Sequence, residues 1–167
     1  MGSPDITSAV IRADRRAGAL ARRRVGAVRG GPEMARLVAD ATAPAFQVLV
    51  GALIMLPGSR ATGLRALAAG GTAATIARLA REAIDRPRPG ARADGGFPSR
   101  HASTATAIAL VVARDRPVLG GIALVTAAAG LAARVASADH DPLDIAAGAG
   151  LGAVVARVMR RRRRRRS

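Results

Sequence analysis

Apolar stretches separated by short polar segments fill most of the chain after residue 40. Residues 41–59 carry no charge and are long enough to cross a bilayer, which takes about 20 apolar residues. Residues 61–84 form a weaker apolar stretch, with arginines near its ends where long side chains can reach the head groups. Strict alternation of apolar and polar residues is missing, and the alanine and leucine content favours helix over strand. Further apolar helices are therefore predicted at 99–113, 117–133 and 142–159.

The segment before these stretches has a different pattern. Ser3 is suited to cap a helix, and Pro4 is suited to its first position. From Ile6 to Val28, apolar residues recur at helical spacing and arginines fall largely on the opposite side. Such a basic amphipathic helix is typical of a segment that lies on a membrane surface. We expect it to anchor there rather than contribute to a functional site, and we expect the Gly-Gly-Pro sequence at 30–32 to end it.

Together these patterns predict an all-α, integral membrane bundle of about five transmembrane helices preceded by an N-terminal amphipathic helix. The chain then divides into the basic helix at 1–32, a membrane domain at 33–159 and a poly-arginine tail at 160–167. Several stretches are short or only marginally apolar, so a soluble helical bundle is the alternative.

Composition and charge support the membrane interpretation. Half of the 167 residues are hydrophobic but only two are aromatic, and small residues dominate, which allows helices to pack closely inside lipid. The net charge is +16, and arginines cluster at both ends and between the apolar stretches. This distribution favours contact with anionic lipid head groups over nucleic-acid binding. We therefore expect a multi-pass protein of the cell membrane, for which the two arginine-rich termini give conflicting orientations.

Antiparallel helices joined by short loops bring one set of polar residues to a single face of the bundle. This face holds the segments that follow the second and fourth predicted transmembrane helices, and both histidines of the chain lie on it. Its polar residues are Arg81, Arg86, Arg88, Arg92, Ser99, Arg100, His101, Arg134, His140 and Asp144.

The residue types on this face suit phosphoryl transfer, which depends on positioning and positive charge. Arginine forks fit phosphate oxygens, and Ser99 at a helix start adds a hydroxyl beside free backbone N–H groups. His140 and Asp144 are four residues apart, so the carboxylate can orient the imidazole and leave its other nitrogen free to attack. His101 is suited to act as the general acid. The chain has no cysteine, which excludes thiolate chemistry.

Three short motifs resemble the type 2 phosphatidic acid phosphatase family, membrane lipid phosphatases that share a helical core with vanadium haloperoxidases. The family has Lys, six residues and Arg-Pro, where this chain has "REAIDRPRP" at 81–89. It has Pro-Ser-Gly-His, where this chain has "PSRH" at 98–101. It has Ser-Arg, five residues, His, three residues and Asp, where this chain has "ARVASADHDPLD" at 133–144.

The resemblance implies a role for each motif residue. His140 would be the nucleophile that forms a phosphohistidine, Asp144 would orient it, and His101 would be the general acid. No metal and no cofactor are implied. The phosphate would be bound by Arg81, Arg88, Ser99, Arg134 and the backbone at Arg100.

The chain departs from the family pattern at three positions. Arg81 replaces Lys and keeps the charge with a different reach, whereas Ala133 replaces Ser and loses a hydroxyl. Arg100 replaces Gly, so a bulky side chain must leave the phosphate site or add to it. Arg86 and Arg92 match no motif position and are expected to be solvated loop residues. Asp139 and Asp141 are expected to be local charge partners that lack the spacing of a metal site.

The resemblance favours an integral membrane lipid phosphatase. Lysine-free, arginine-rich members resemble the actinobacterial enzymes of cell-wall precursor synthesis, so decaprenylphosphoryl-5-phosphoribose is the favoured substrate. Extra arginines at 86, 92 and 100 would suit its second phosphate. Undecaprenyl diphosphate, phosphatidylglycerophosphate and phosphatidic acid are alternative substrates. A non-catalytic basic membrane scaffold that binds anionic lipid and a vanadate-dependent halide oxidation are alternative functions.

Overall fold

The computed structural model describes residues 6–84, 86, 88–89 and 95–164, and these residues form six α-helices. The helices are α1 Ile6–Gly26, α2 Gly31–Met55, α3 Arg60–Ile84, α4 Arg100–Asp115, α5 Pro117–Ala136 and α6 Pro142–Arg164. No strand occurs in the described part of the chain. The predicted all-α bundle is therefore confirmed. Helix α6 continues into the first residues of the poly-arginine tail, which the sequence division at residue 160 separated from it.

Helix α2 begins at Gly31, well before the uncharged stretch at 41–59 that predicted it. Gly30 has a φ of 74°, a conformation that glycine adopts without steric cost. Pro32 follows in the first turn of α2, where its missing N–H needs no partner. Helix α1 already ends at Gly26, four residues before Gly30, so the expectation that the Gly-Gly-Pro sequence ends α1 is wrong. This sequence starts α2 instead, and the charged residues that precede the apolar stretch belong to α2.

Among the described residues, three helices are long and apolar enough to cross a membrane: α2, α5 and the Pro142–Arg160 part of α6. Helix α4 has only 16 residues and extends roughly 24 Å, against about 30 Å for a hydrocarbon core. It lies in the middle of the bundle, packed against α3, α5 and α6. Because α4 is surrounded by protein, its side chains need not be as apolar as those of a lipid-facing helix.

The outer surface of the bundle is rich in exposed aliphatic side chains. Val48 on α2 and Val118 and Val125 on α5 are each more than two-thirds exposed. The interior holds Phe46, Val50 and Leu53 of α2 against Ile108 and Val112 of α4. A large apolar surface on a folded bundle is typical of a protein that is solvated by lipid.

Two glycines of α6 allow it to approach α4 closely. A Cβ atom at Gly148 would lie 2.4 Å from the carbonyl oxygen of Ser99, and one at Gly152 would lie 2.3 Å from that of Ser103. Small residues four apart are a common way for membrane helices to bring their backbones together. The approach brings the start of α4 against the start of α6, where the backbone N–H of Ser99 donates to the carbonyl oxygen of Asp144 at 2.9 Å.

Adding a methyl group at Gly152 should therefore destabilise the bundle. Gly152→Ala places a Cβ against α4, and overpacking of this kind costs about 1–3 kcal/mol. Gly150→Ala is the matched control, because a Cβ there meets no atom within 4 Å. We expect a lower Tm in detergent for Gly152→Ala and an unchanged or slightly higher Tm for Gly150→Ala. Equal Tm values for the two variants would contradict this account of the α4–α6 contact.

Candidate active site

The loop before α4 and the loop between α5 and α6 meet at one end of the bundle. Ser99 at the start of α4 and Asp144 at the start of α6 are joined there by a backbone hydrogen bond. His140 lies in the α5–α6 loop, and His101 is the second residue of α4. The structure therefore brings both histidines to the face on which the sequence placed them.

His140 and Asp144 form a buried pair. The Nδ1 atom of His140 lies 3.5 Å from Oδ2 of Asp144, and the side chain of His140 is only 1% exposed. Both ring nitrogens are buried, and neither makes a hydrogen bond in the described part of the chain, so Nδ1 faces Asp144 at ion-pair distance while Nε2 has no partner. An imidazole with a carboxylate on one side and a free nitrogen on the other is arranged for nucleophilic attack.

The chain turns sharply before His140. The carbonyl oxygen of Arg134 accepts from the backbone N–H groups of Asp139 and His140, at 3.0 and 3.2 Å. Ala138 adopts a φ of 63°, a left-handed conformation that is costly for a residue with a Cβ. Strained residues of this kind persist where the surrounding structure holds them, often beside functional sites.

Asp144 is held at three points besides His140. It is the third residue of α6, and its Oδ2 accepts from the backbone N–H of Asp141 at 3.1 Å, as the third residue of a capping box does. Its Oδ1 accepts from Nη1 of Arg86 at 3.0 Å. Its carbonyl oxygen accepts from Ser99. The carboxylate is therefore fixed in orientation, as the imidazole requires.

The expectation that Arg86 is a solvated loop residue is wrong. Its side chain is only 13% exposed and bridges two carboxylates, because Nη2 donates to Oδ2 of Asp14 at 2.5 Å while Nη1 binds Asp144. Oδ2 of Asp141 lies 3.7 Å from the same guanidinium. The partner Asp14 is 72 residues away along the chain, so local sequence gave no sign of this contact. Arg92 lies outside the described residues.

Helix α1 also contributes to the site, which corrects the expectation that it serves as an anchor alone. Asp14 is 9% exposed, and its Oδ1 accepts from the backbone N–H of Leu143 at 2.8 Å. Arg22 lies 3.6 Å from Oδ1 of Asp141. Asp14, Gly18 and Arg22 are spaced by four residues, so they share one helix face, and Asp14 is the single acidic residue of α1. This single acidic residue on a basic helix, with Gly18 and Arg22 on the same face, was the feature of the sequence that could have indicated a contact between α1 and the site.

Two of the predicted phosphate-binding arginines contact Asp139, the residue before His140. Arg134 is buried, and it donates to Oδ2 of Asp139 at 3.1 Å and to the carbonyl oxygen of Ala39 at 2.9 Å. Arg88 donates to the carbonyl oxygen of Asp139 at 3.2 Å. The charges of Arg134, Arg88 and His140 all act on the half-buried ring of His101. These contacts place two guanidinium groups and both imidazoles at the same end of the bundle.

Two further residues predicted to bind phosphate, Ser99 and Arg81, lie at the start of α4 and at the end of α3. Ser99 is fully buried and caps α4, since its Oγ accepts from the backbone N–H of Ala102 at 3.3 Å. Arg81, at the end of α3, donates to the carbonyl oxygen of Gly95 at 3.5 Å, a long contact. Within the described part of the chain, no group of three or more His, Asp or Glu side chains is placed to hold a metal ion.

Comparison with known proteins decides the family. Residues 67–167, more than half of the chain, match the model of the PAP2 superfamily. The chain belongs to this superfamily. The match covers all three motifs, and it agrees with the resemblance to type 2 phosphatidic acid phosphatases.

The fold of this PAP2 chain is similar to the crystal structure of a transmembrane PAP2-type phosphatidylglycerolphosphate phosphatase from Bacillus subtilis. The TM-score is 0.75, with 20% sequence identity, and the alignment covers 94% of this chain and 87% of that one. No curated protein matches the chain. The likeness supports the membrane-embedded helical fold.

The PAP2 pattern is altered at Arg100, and the structure shows where this side chain goes. Arg100 is exposed, and with His101 it lines a cavity of about 560 Å³ between α2, α3 and α4. The walls of this cavity are mainly apolar, and they include Phe46, Val50 and Ile108. The bulky replacement for Gly therefore borders this cavity beside the general-acid candidate.

Asp141, in the loop between α5 and α6, has a buried carboxyl group whose surroundings disfavour its negative charge. Burial raises its pKa, and the nearby carboxylates of Asp14 and Asp144 add to the rise, whereas Arg22 and Arg86 oppose it. The folded protein therefore keeps a proton on Asp141 at a pH where the unfolded chain has lost it. This linkage contributes stability below about pH 4, the ordinary aspartate pKa, and the contribution is lost as pH rises through the folded pKa.

Asp141→Asn removes this titrating group, so the variant should lose less stability than the wild type when the pH is raised. Comparing Tm in detergent from about pH 4 to about pH 7, we expect the wild-type value to fall relative to that of the variant. Glu33→Gln, which alters an exposed carboxylate at the start of α2, is the control and should follow the wild type. Parallel curves for Asp141→Asn and the wild type would show that Asp141 is not destabilised by its surroundings.

Proposed function

We propose that this PAP2 protein hydrolyses a phosphomonoester of a membrane lipid through a phosphohistidine at His140. The observation that carries the proposal is the buried His140–Asp144 pair, whose Nε2 has no hydrogen-bond partner among the described residues. Arg88 and Arg134 both contact the preceding residue, Asp139. A buried, oriented and unpartnered imidazole nitrogen is costly to maintain unless it reacts. The scaffold alternative gives no reason for such an arrangement.

The proposed reaction has two displacements at phosphorus. Nε2 of His140 attacks the phosphorus atom, the bond to the lipid oxygen breaks, and His101 donates a proton to that oxygen as the lipid alcohol leaves. Water then attacks the phosphohistidine, His101 takes the proton from this water, and inorganic phosphate is released. Asp144 stabilises the positive charge on the His140 ring during the first step.

Charge stabilisation is assigned to the arginines, so the reaction is proposed to need no metal. Arg88 and Arg134 approach the phosphate with guanidinium groups, and Ser99 adds its hydroxyl beside the N-terminus of α4. Arg81 contributes at longer range, with the backbone at Arg100. Fixed donors of this kind stabilise the transferring phosphoryl group without reorganising during the reaction.

The cavity beside His101 supports a lipid substrate. It is mainly apolar and lies between helices of a membrane bundle, so a lipid tail can remain in apolar surroundings while its phosphate reaches His101. A soluble phosphate ester would gain nothing from these walls.

Decaprenylphosphoryl-5-phosphoribose remains the favoured substrate. Arg100, exposed beside the cavity, is available for a second phosphate, whereas Arg86 is not, because it is bound to Asp14 and Asp144. Phosphatidylglycerophosphate is the second candidate, since the similar crystal structure is that of a phosphatidylglycerolphosphate phosphatase. Undecaprenyl diphosphate and phosphatidic acid are further alternatives.

The cell membrane and its anionic lipids are the proposed surroundings. The exposed face of α1 carries Arg12, Arg15, Arg16 and Arg23, which suits contact with anionic head groups. A second cavity of about 400 Å³, formed by α3, α4 and α6, is lined by Arg114, Arg157 and Arg160 together with apolar side chains. This combination fits a phosphate group with an acyl chain attached.

The nucleophile can be tested by trapping the intermediate. Brief incubation with a lipid phosphate labelled with ³²P should give an acid-labile phosphoenzyme, which His140→Ala should abolish together with turnover. Arg78→Gln, which alters a surface arginine paired with Glu82, is the control and should retain both. The assays contain EDTA. Loss of wild-type turnover in EDTA, with recovery on adding a divalent ion, would contradict the mechanism.

The substrate can be tested by comparing kcat/KM for four lipids in one detergent. These are decaprenylphosphoryl-5-phosphoribose, undecaprenyl diphosphate, phosphatidylglycerophosphate and phosphatidic acid. We expect the highest value for the decaprenyl compound, and we expect Arg100→Ala to reduce that preference. A preference of about tenfold or more for either glycerolipid, which is about 1.4 kcal/mol of transition-state discrimination, would refute the polyprenyl assignment and leave the phosphatase proposal standing.

A further inference from the structure

We infer that Arg86 and Asp14 are positioning residues for the proposed phosphohistidine reaction and that they act through Asp144. Neither residue belongs to a family motif, and neither contacts His140 in the described structure. The inference rests on the proposed function and adds to it Asp14, which precedes the matched region, and Arg86, which lies within that region but matches no motif position.

Arg86 connects the two carboxylates through different nitrogens. Nη1 donates to Oδ1 of Asp144 at 3.0 Å, and Nη2 donates to Oδ2 of Asp14 at 2.5 Å. The three side chains are all largely buried, so water does little to screen their interaction. The ring of Phe97 covers the guanidinium, with its centroid 6.0 Å from Cζ, at the outer limit of a cation–π contact.

The contact with Arg86 fixes the rotation of the Asp144 carboxylate. Oδ2 already faces Nδ1 of His140 and the backbone N–H of Asp141. Because Arg86 holds Oδ1, the carboxylate cannot rotate about its bond to Cβ, and Oδ2 stays directed at His140. Without that hold, the imidazole would lose the acceptor that sets its tautomer and stabilises its positive charge.

Asp14 keeps Arg86 in this role by two contacts. Its Oδ2 holds the second nitrogen of the guanidinium, which otherwise would be drawn toward any phosphate bound beside His140. Its Oδ1 accepts from the backbone N–H of Leu143, the residue immediately before Asp144. Asp14 therefore fixes both the partner of Asp144 and the turn of α6 that carries Asp144.

Charged and titratable side chains of α1, the α5–α6 loop and α6 face the Asp14–Arg86 pair. Arg22 of α1 and Asp141 of the α5–α6 loop lie beside it, and both His140 and Asp144 complete the cluster. Arg86 is thus shared among three carboxylates and is committed to them.

The test measures kcat per competent site and KM for Asp14→Asn, Arg86→Gln and Arg86→Lys. The amplitude of phosphoenzyme formation counts the competent sites, so partial unfolding does not affect kcat per site. We expect kcat to fall by roughly tenfold or more in Asp14→Asn and Arg86→Gln, with KM within about twofold of the wild type. Arg86→Lys keeps the charge and should recover part of the loss.

The double variant Asp14→Asn/Arg86→Gln should be no slower than Arg86→Gln alone, because both residues act through one contact. Asp40→Asn, which alters an exposed carboxylate of α2, is the control and should match the wild type. Wild-type kcat per site in both single variants would overturn the inference. A raised KM with unchanged kcat would make Arg86 a phosphate ligand instead and would also overturn it. A wild-type protein without turnover would refute the proposed function itself.

Discussion

The structure of the site depends on satisfying one buried carboxylate. Asp144 lies at the start of α6 with almost no access to water, where an unpaired negative charge would cost several kcal/mol. The partners of Asp144 come from three parts of the chain: Arg86, the α5–α6 loop with His140 and the backbone of Asp141, and Ser99, which binds the carbonyl oxygen of Asp144. Each partner is also a component of the proposed reaction or of its support. The contacts that stabilise the buried carboxylate therefore also bring the residues of the proposed site together.

Helix packing supplies the geometry that this carboxylate needs. Gly148 and Gly152 let α6 approach α4, and the approach brings Ser99 within hydrogen-bonding distance of Asp144. In lipid, where apolar burial between helices contributes little, such close backbone contacts carry much of the association. The same small residues that give this chain its unusual composition therefore align α4, which holds the proposed general acid His101, with α6, which holds Asp144.

The sequence predicted the features that depend on local pattern. Helical periodicity predicted the helices, and their antiparallel arrangement placed both histidines and Asp144 at one end of the bundle. The sequence did not predict where α2 begins, because the charged residues Glu33, Arg36 and Asp40 precede the apolar stretch within the same helix. It also missed Arg86 and Asp14, whose contacts join residues 58, 72 and 129 positions apart. The sequence predicted a helix at 99–113 but not its central position, because the contacts of α4 with α3, α5 and α6 are long-range.

The position of Asp14 in α1 means that a shortened protein limited to the matched region would lack part of the support of the site. The family match begins at residue 67, and every motif residue follows it. A chain trimmed to that region would keep both histidines, Asp144 and the arginines of the motifs, yet Arg86 and the first turn of α6 would lose their partner in α1. Helix α1 and the proposed reaction centre are therefore one structural unit, and a large tag or fusion placed near Asp14 would disturb the contacts of Arg86 and Leu143.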